Sequence, residues 1–187
     1  MIHFKNIKWK NFLSTGNAYT EIDFTKSPST LIVGENGSGK STLLDALTFA
    51  LFNKPFRNVS KPQLVNTING KNLRVEINFQ IGSKNYCIKR GLQPRIFEIE
   101  INGDRLDKNA NIRDFQKYLE ENILKLNYKS FTQIVMLGSA SFTPFMQLHL
   151  GARREIIEDI LDISIFTSMN SVLKTKLVQL ENDKRIL

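Results

Sequence analysis

The sequence has little of the residue types that build disulfides and transition-metal sites. Only one of its 187 residues is a cysteine, Cys87, and only His3 and His149 are histidines. One cysteine excludes an internal disulfide, and two isolated histidines give no support to a metal site or a histidine relay. This usage predicts a reducing compartment of the cytoplasmic type.

Long apolar runs are also missing. No run approaches the roughly 20 residues that a membrane span needs, and residues 1–5 lack the apolar core of a secretion signal. We therefore expect no membrane contact. The net charge of +8 fits either solvated lysines or a basic face for nucleic acid, and charge alone does not separate the two.

What is present is organised around residues 34–41, which read Gly-Glu-Asn-Gly-Ser-Gly-Lys-Ser and match the phosphate-binding P-loop pattern. The apolar run 30–33 before them predicts a fully buried strand over 29–33, and the periodic stretch 42–52 after them predicts a helix. Lys40 is placed to reach the β- and γ-phosphates of a nucleotide, and the Ser41 hydroxyl to ligate Mg²⁺. The loop residues predicted to bind nucleotide are Gly34, Asn36, Gly37, Ser38, Gly39, Lys40, Ser41 and Thr42.

The remaining pattern mixes strands and helices. Strands are predicted over 2–10 and 18–24, then an antiparallel β meander over 73–81, 85–90 and 95–101 with a hairpin turn at Asn102-Gly103. Asn111 is placed to cap a helix, 131–137 is a buried apolar run, and a further helix follows Gly151. Leucines at 173, 177, 180 and 187 have heptad spacing, which predicts the start of a coiled coil that continues beyond this chain.

One part of a hydrolytic site is missing. A P-loop ATPase also needs an apolar strand ending in Asp or Asp-Glu, because these carboxylates orient Mg²⁺ and polarise the attacking water. Ile160-Leu161-Asp162 lies in a helical pattern, and residues 97–101 alternate acidic and apolar side chains. Asp45 lies on the polar side of its helix, where a solvated or helix-surface role is expected rather than a catalytic one. The chain is therefore predicted to bind a nucleotide without containing the catalytic acids.

Several segments resemble one family in the same order. They are Lys10-Asn11-Phe12-Leu13-Ser14, the P-loop with Leu43-Leu44-Asp45-Ala46-Leu47, Phe131-Thr132 through Phe142-Thr143-Pro144-Phe145-Met146, and residues 153–161. Together they resemble the N-terminal half of an SMC-type ATPase head, more narrowly the bacterial SbcC group and its counterparts in tailed-phage recombination nucleases.

The resemblance implies an α/β fold: a P-loop lobe of the ABC type over 1–162, with the start of a coiled-coil arm over 163–187. It implies ATP and Mg²⁺ as ligands and adds Asn11 and Ser14 to the nucleotide site. Aligned on the family, Ser139 stands in the place of the Q-loop glutamine, a Mg²⁺-binding position, while Gln133 lies six residues too early. Either Ser139 reaches Mg²⁺ through water, or the loop senses the nucleotide differently in this chain. Leu13 stands where the family usually has an arginine.

The resemblance also implies partners: the C-terminal half of the same protein, a second copy of the head, a metal-dependent nuclease subunit and double-stranded DNA. The nuclease would bind near the coiled-coil base, and a phage-encoded protein would act in the host cytoplasm. The candidate DNA contacts are basic residues of the loop before the meander and of the meander itself, foremost Arg57, Lys61 and Lys108. Lys71 of the loop and Lys89, Arg90, Arg95 and Arg105 of the meander join them. Aromatic residues do not interleave these basic positions, so stacking on single strands is not indicated there.

Two other functions stay open at this point. The chain could be a self-contained small P-loop kinase or NTPase with an unusual carboxylate. Alternatively, it could be a nucleotide-gated interaction module without turnover.

Overall fold

A computed structural model describes residues 2–106, 112–136, 143–161 and 163–186 of the chain. The chain divides into two compact units, Met1–Leu124 and Lys125–Leu187. No helix in the described ranges is both long and apolar enough to cross a bilayer.

The first unit contains a six-stranded antiparallel sheet in the order β2-β1-β3-β4-β5-β6. The predicted meander is confirmed, and Asn102-Gly103 forms the turn before the short last strand. The strands are β1 (Ile2–Lys10), β2 (Thr20–Asp23), β3 (Leu73–Ile81), β4 (Lys84–Leu92), β5 (Ile96–Ile101) and β6 (Asp104–Arg105).

One face of this sheet is apolar and carries helix α1 (Thr42–Phe52). Strand side chains alternate between faces, so Val75, Ile77 and Phe79 are buried while the residues between them are half-buried. Phe49 and Ala50 of α1 are fully buried. Burial of one large apolar side chain stabilises the fold by about 1.5–3 kcal/mol. Because several such side chains are buried between this face and α1, the hydrophobic core of the unit lies there.

Helix α2 (Ile112–Tyr118) runs into a π-helical segment, Leu119–Leu124, and covers the same core. Phe115, Leu119 and Ile123 are buried at helical spacing, as predicted. Phe115 meets Phe97 of β5 edge to face, with ring centroids 5.4 Å apart. Asn111, the predicted cap of this helix, lies outside the described residues.

The predicted buried strand over 29–33 is wrong. These residues form no strand, and Leu31 and Val33 are 87% and 81% exposed. A strand buried on both faces needs hydrogen-bonding neighbours on both edges. None of the described strands pairs with this segment, so its apolar side chains stay in solvent.

The second unit is helical: α3 (Tyr128–Ile134), α4 (Leu150–Ile160) and α5 (Ser164–Ile186). The apolar run over 131–137 begins within α3 and is buried only in part: Phe131 and Met136 are buried as predicted, but Ile134 and Val135 are more than 40% exposed. An amphipathic helix of about 3.6 residues per turn buries one face of such a run and leaves the residues on its other face in solvent. Ser130 of α3 donates to the Asp159 carboxylate of α4 at 2.6 Å, which joins the two helices.

Candidate nucleotide-binding site

The P-loop has a backbone that glycine alone tolerates well. Gly37 and Gly39 have φ angles of 86° and 94°, in the left-handed region where a side chain is strained. A Cβ at Gly34 would lie 2.6 Å from Ser38 Oγ, so a side chain there would displace the Ser38 hydroxyl. The loop therefore keeps a bare, tightly curved backbone at the start of α1.

The polar groups of this loop fit a phosphate ligand. Lys40 Nζ donates to the carbonyl oxygens of Gly34 and Glu35, at 2.7 Å each, and so spans the loop. The backbone N–H groups of Gly37, Gly39, Lys40 and Ser41 have no hydrogen-bond partner among the described residues. Unpaired N–H groups at a helix N-terminus attract anions, so this arrangement suits nucleotide phosphates.

Ser41 and Thr42 differ in what they offer a ligand. Ser41 is the exposed N-cap of α1, but its hydroxyl makes no capping hydrogen bond and is available to Mg²⁺. Thr42 is 2% exposed, and its backbone N–H donates to Gly39 O at 2.9 Å. Asn36 and Ser38 lie on the exposed outer part of the loop, where Ser38 N donates to Glu35 O.

The turn after β1 lies beside the P-loop. Ser14 Oγ lies 3.9 Å from the position that a Cβ at Gly39 would occupy, so Ser14 is near the predicted nucleotide. Asn11, by contrast, is 1% exposed, and its side chain is committed to Asn17, Asn69 and the carbonyl of Asn72. Asn11 therefore stabilises the conformation of this turn through its side-chain hydrogen bonds.

Asn66, which the sequence did not single out, fastens this turn to the loop that precedes β3. Its backbone N–H donates to Asn11 O and its side-chain amide to Leu13 O. Its side-chain carbonyl accepts from the N–H groups of Ile68 and Asn69, at 3.0 Å each. Asn66 thus holds the segment that carries Ser14. A sequence signal existed only in the cluster of asparagines at 66, 69 and 72.

Replacing Asn66 with alanine is expected to lower the free energy of unfolding by about 2–3 kcal/mol. The substitution removes three hydrogen bonds at a 5% exposed position and leaves their partners unsatisfied. Urea unfolding measures the loss, and the exposed Asn58→Ala variant serves as the control. An equal change in the two variants would refute the anchoring role.

Asp45 is not solvated, contrary to the prediction. It is 0% exposed and accepts hydrogen bonds from the backbone N–H and the Nε of Arg57, at 2.9 and 2.6 Å. Arg57 Nη2 lies 2.5 Å from the same carboxylate, and the arginine side chain is 49% exposed. The ion pair pins the loop after α1 to the first turn of that helix, a contact twelve residues apart that helical periodicity does not predict.

A family model described as an AAA domain, AAA_23, matches residues 6–186 and so covers nearly the whole chain. The chain belongs to this AAA domain family. The match includes the P-loop, the turn that carries Ser14 and the helical unit.

Relatives of this AAA domain include subunits of phage nucleases. The chain is 46% identical over 168 residues to exonuclease subunit 2 of Enterobacteria phage T4, and the match covers 90% of the chain and 30% of that protein. For exonuclease subunit 2 of Escherichia phage RB69 the identity is 44% over 181 residues, covering 97% and 32%. The DNA double-strand break repair Rad50 ATPase of Thermoplasma acidophilum is 29% identical over 172 residues, covering 90% and 19%. The chain spans about a third of the length of the phage relatives.

Solved structures agree on the fold. The Smc head domain of Pyrococcus furiosus bound to the C-terminal domain of ScpA has a TM-score of 0.58 at 23% identity, covering 98% of this chain and 48% of that one. An SMC ATPase studied for ATP-driven dimerization has a TM-score of 0.57 at 24% identity, covering 84% and 99%. These structures confirm the predicted fold, and the family model with the phage and Rad50 relatives confirms the predicted resemblance to SMC- and SbcC-type ATPase heads.

The candidate DNA contacts of the meander differ in how far their charges are already paired or buried. Lys89 pairs with Glu100, Arg105 pairs with Glu98, and Arg90 is 4% exposed, with its Nε donating to Ala50 O at 2.9 Å. Arg90 is therefore a core residue, and burial lowers the pKa of its guanidinium. Its candidacy as a DNA contact is wrong.

Lys61 and Arg95 remain accessible and line one cleft of about 360 Å³, together with Pro62, Val65, Leu92 and Gln93. Partial burial lowers the pKa of the Lys61 ammonium, and the like charges of Arg90, Arg95 and Lys54 lower it further. The cleft therefore carries a positive potential.

Two predicted site residues, Lys108 and Ser139, lie outside the described residues. Gln133 lies on α3, and its buried side-chain oxygen has no hydrogen-bond partner in the part of the chain described.

Proposed function

We propose that this chain is the ATP-binding half of an ATPase that acts in DNA repair or recombination. The observation that carries the proposal is a P-loop with free backbone N–H groups, a free Ser41 hydroxyl and a lysine that spans the loop. ATP would be held by residues 34–42 and Ser14, with Mg²⁺ on Ser41 and, in the family's Q-loop position, Ser139. Bound Mg²⁺ would neutralise phosphate charge.

The proposal assigns the catalytic acids to the C-terminal half of the same protein. Two surfaces support such a partner. The segment Thr30-Leu31-Ile32-Val33 has the composition of a central strand but lies in solvent, which suits pairing with a strand from elsewhere. The second surface is α5, whose apolar side chains are more than half exposed along its length and suit a returning helix: Ile165, Phe166, Met169, Val172, Leu173, Leu177, Val178 and Leu180. The lobe would then span 1–162 and the arm 163–187.

The other partners follow from the relatives. Two of these are named exonuclease subunits and one a double-strand break repair ATPase. We extend this to a second copy of the head, which would close over the bound ATP, and to a metal-dependent nuclease subunit that docks near the start of α5. ATP binding would then gate access of double-stranded DNA ends to the nuclease, in the host cytoplasm for a phage-encoded protein.

The DNA contacts in this proposal are phosphate contacts. Lys61 offers an exposed charge at the basic cleft, and Lys108 stays a candidate from the sequence. Arg57 is the weakest of the three because its guanidinium already pairs with Asp45. Contacts to phosphate weaken with salt and have no sequence preference. Removing a lysine that makes such a contact should therefore reduce the salt dependence of duplex binding.

A complementation experiment tests the proposal. This chain is mixed with the C-terminal half of its own full-length protein, and ATP hydrolysis is measured for each part and for the mixture. Turnover that arises only in the mixture supports the split site. Normal turnover by this chain alone would favour a self-contained kinase or NTPase. Stable association without turnover would favour the nucleotide-gated interaction module.

The double variant Leu177→Glu with Leu180→Glu is expected to prevent this complementation and leave ATP affinity unchanged. Both leucines lie on α5 with 58% and 64% of their surface exposed, so charge there costs the isolated chain little but opposes an apolar partner helix. Calorimetry with ATP and the thermal melting temperature report on the isolated chain. A collapse of ATP affinity would instead make α5 part of the nucleotide-binding core.

A further inference from the structure

The sheet face opposite α1 is polar, and one exposed aromatic ring lies on it. Tyr19 directly precedes Thr20, which pairs with Trp9 of β1. The ammonium groups of Lys8 and Lys10 lie over the Tyr19 ring, 5.2 and 5.0 Å from its centroid. The ring is 45% exposed, so part of its aromatic surface faces solvent beside these two ammonium groups.

The ring is held in place by a carboxylate. The Tyr19 hydroxyl donates to Glu76 at 3.3 Å, and the same carboxylate pairs with Lys8 at 3.1 Å. Burial and the Glu76 charge raise the pKa of the Tyr19 hydroxyl, which keeps it a neutral donor at physiological pH. The ring is thus oriented before any ligand arrives, which lowers the entropic cost of binding on it.

Two further charges are available beside the ring. Lys10 pairs with Arg74 in the β1–β3 register, so both side chains lie on this polar face. Neither has a carboxylate partner among the described residues. Among the described residues, the hydrogen bond found for Arg74 is long, 3.5 Å from its Nη1 to the carbonyl oxygen of Pro94. Lys8, by contrast, is neutralised by Glu76.

We infer that Tyr19, Lys10 and Arg74 form a binding site for single-stranded DNA, which we call the Tyr19 platform. An unpaired base would stack on the exposed Tyr19 ring, while Lys10 and Arg74 would contact the flanking phosphates. A duplex keeps its bases stacked on one another and could use only the two charges. The inference deepens the proposed DNA-binding function, because a frayed or resected end supplies unpaired bases.

A free nucleotide such as ATP also combines a base with phosphate groups, so it is a second possible ligand for an aromatic ring flanked by positive charges. The P-loop leads into α1, which packs on the opposite, apolar face of the sheet. We therefore assign the platform to single-stranded DNA and not to the base of ATP. The experiment distinguishes the two sources.

The test measures the affinity of this chain for an oligothymidylate carrying one 2-aminopurine, for a blunt duplex and for ATP. Tyr19→Ala is expected to weaken single-strand binding about 5- to 100-fold, the range for one base–aromatic stack, and to abolish the stacking-induced quenching of 2-aminopurine. Duplex and ATP affinities should stay within about twofold. Tyr19→Phe should bind single strands within about twofold of the unmodified chain.

Two further variants make the test independent of folding defects. Tyr19→Leu keeps an apolar cover over the lysine side chains without an aromatic ring, and should lose as much single-strand affinity as the alanine variant. Tyr118→Ala, at a 39% exposed tyrosine of α2, is the matched control and should change nothing. Thermal melting of each variant accompanies the titrations.

Three results would overturn the inference: full single-strand affinity in Tyr19→Leu, an equal loss for single strands and duplex, or a loss of ATP affinity. The last would assign the ring to the free nucleotide. Duplex binding by the unmodified chain tests the proposed function separately. Its absence, with single-strand binding still dependent on Tyr19, would leave the platform standing and contradict the proposed contact with duplex ends.

Discussion

Replacing Lys40 with alanine is expected to lower the affinity of the chain for ATP at least about 100-fold, below detection by calorimetry. The Lys40 ammonium lies at the P-loop, where it spans two carbonyl oxygens 2.7 Å away and can turn to the β- and γ-phosphates. Charge-assisted hydrogen bonds contribute about 1.5–3 kcal/mol each, so the loss of two such bonds accounts for an effect of this size.

The fold should survive this substitution. The two carbonyl groups that Lys40 contacts are exposed and return to water, so the melting temperature should shift by no more than about 2 °C. Lys26→Ala removes the same charge from an exposed position elsewhere in the chain and controls for the change in net charge. ATP affinity retained by the Lys40 variant would contradict the assignment of the P-loop.

Replacing Arg57 with glutamine is expected to lower the free energy of unfolding by about 3 kcal/mol. The substitution leaves the fully buried Asp45 carboxylate with the backbone N–H of residue 57 as its remaining hydrogen-bond donor from this loop. An uncompensated buried charge is costly, about 3–5 kcal/mol when one partner of a buried pair is removed. Because the first turn of α1 also favours a negative charge, the lower end of that range applies. Urea unfolding measures the change.

Asp45→Asn should cost less, since the half-exposed Arg57 can turn to solvent, and the double variant should cost less than the sum of the two. Lys117→Gln is the control, because it breaks an exposed ion pair with Glu121, which is worth a few tenths of a kcal/mol. If Arg57→Gln had no more effect than this control, Arg57 would be free for DNA and the structural role would be wrong.

Local patterns were most reliable where neighbouring residues decide the structure. The alternation in β3, the Asn102-Gly103 turn and the helix over 42–52 each depend on a few adjacent positions, and each matches the structure. The P-loop pattern is equally local, because its glycines, lysine and serine lie within eight consecutive residues, and its role in nucleotide binding stays a prediction.

Patterns that depend on distant partners were misread. The run at 30–33 has the composition of a central strand, but a strand needs neighbours that the described residues do not supply. The helical phase of Asp45 predicts a position at the helix surface, and the charge of Arg90 predicts a basic surface. Each is buried because a partner from another segment satisfies it: Arg57 for the first, and the α1 carbonyl of Ala50 for the second.

The P-loop pattern and the antiparallel meander can be predicted from the sequence, because each is encoded in contiguous residues. Which polar side chains lie beside the loop, and which are buried in ion pairs, depends on the packing of distant segments. Asn66 reaches the turn that carries Ser14 across more than fifty residues, and β-sheet register places Lys10, Arg74 and Tyr19 together. Such juxtapositions arise from the packing of separate segments, and no spacing along the chain encodes them.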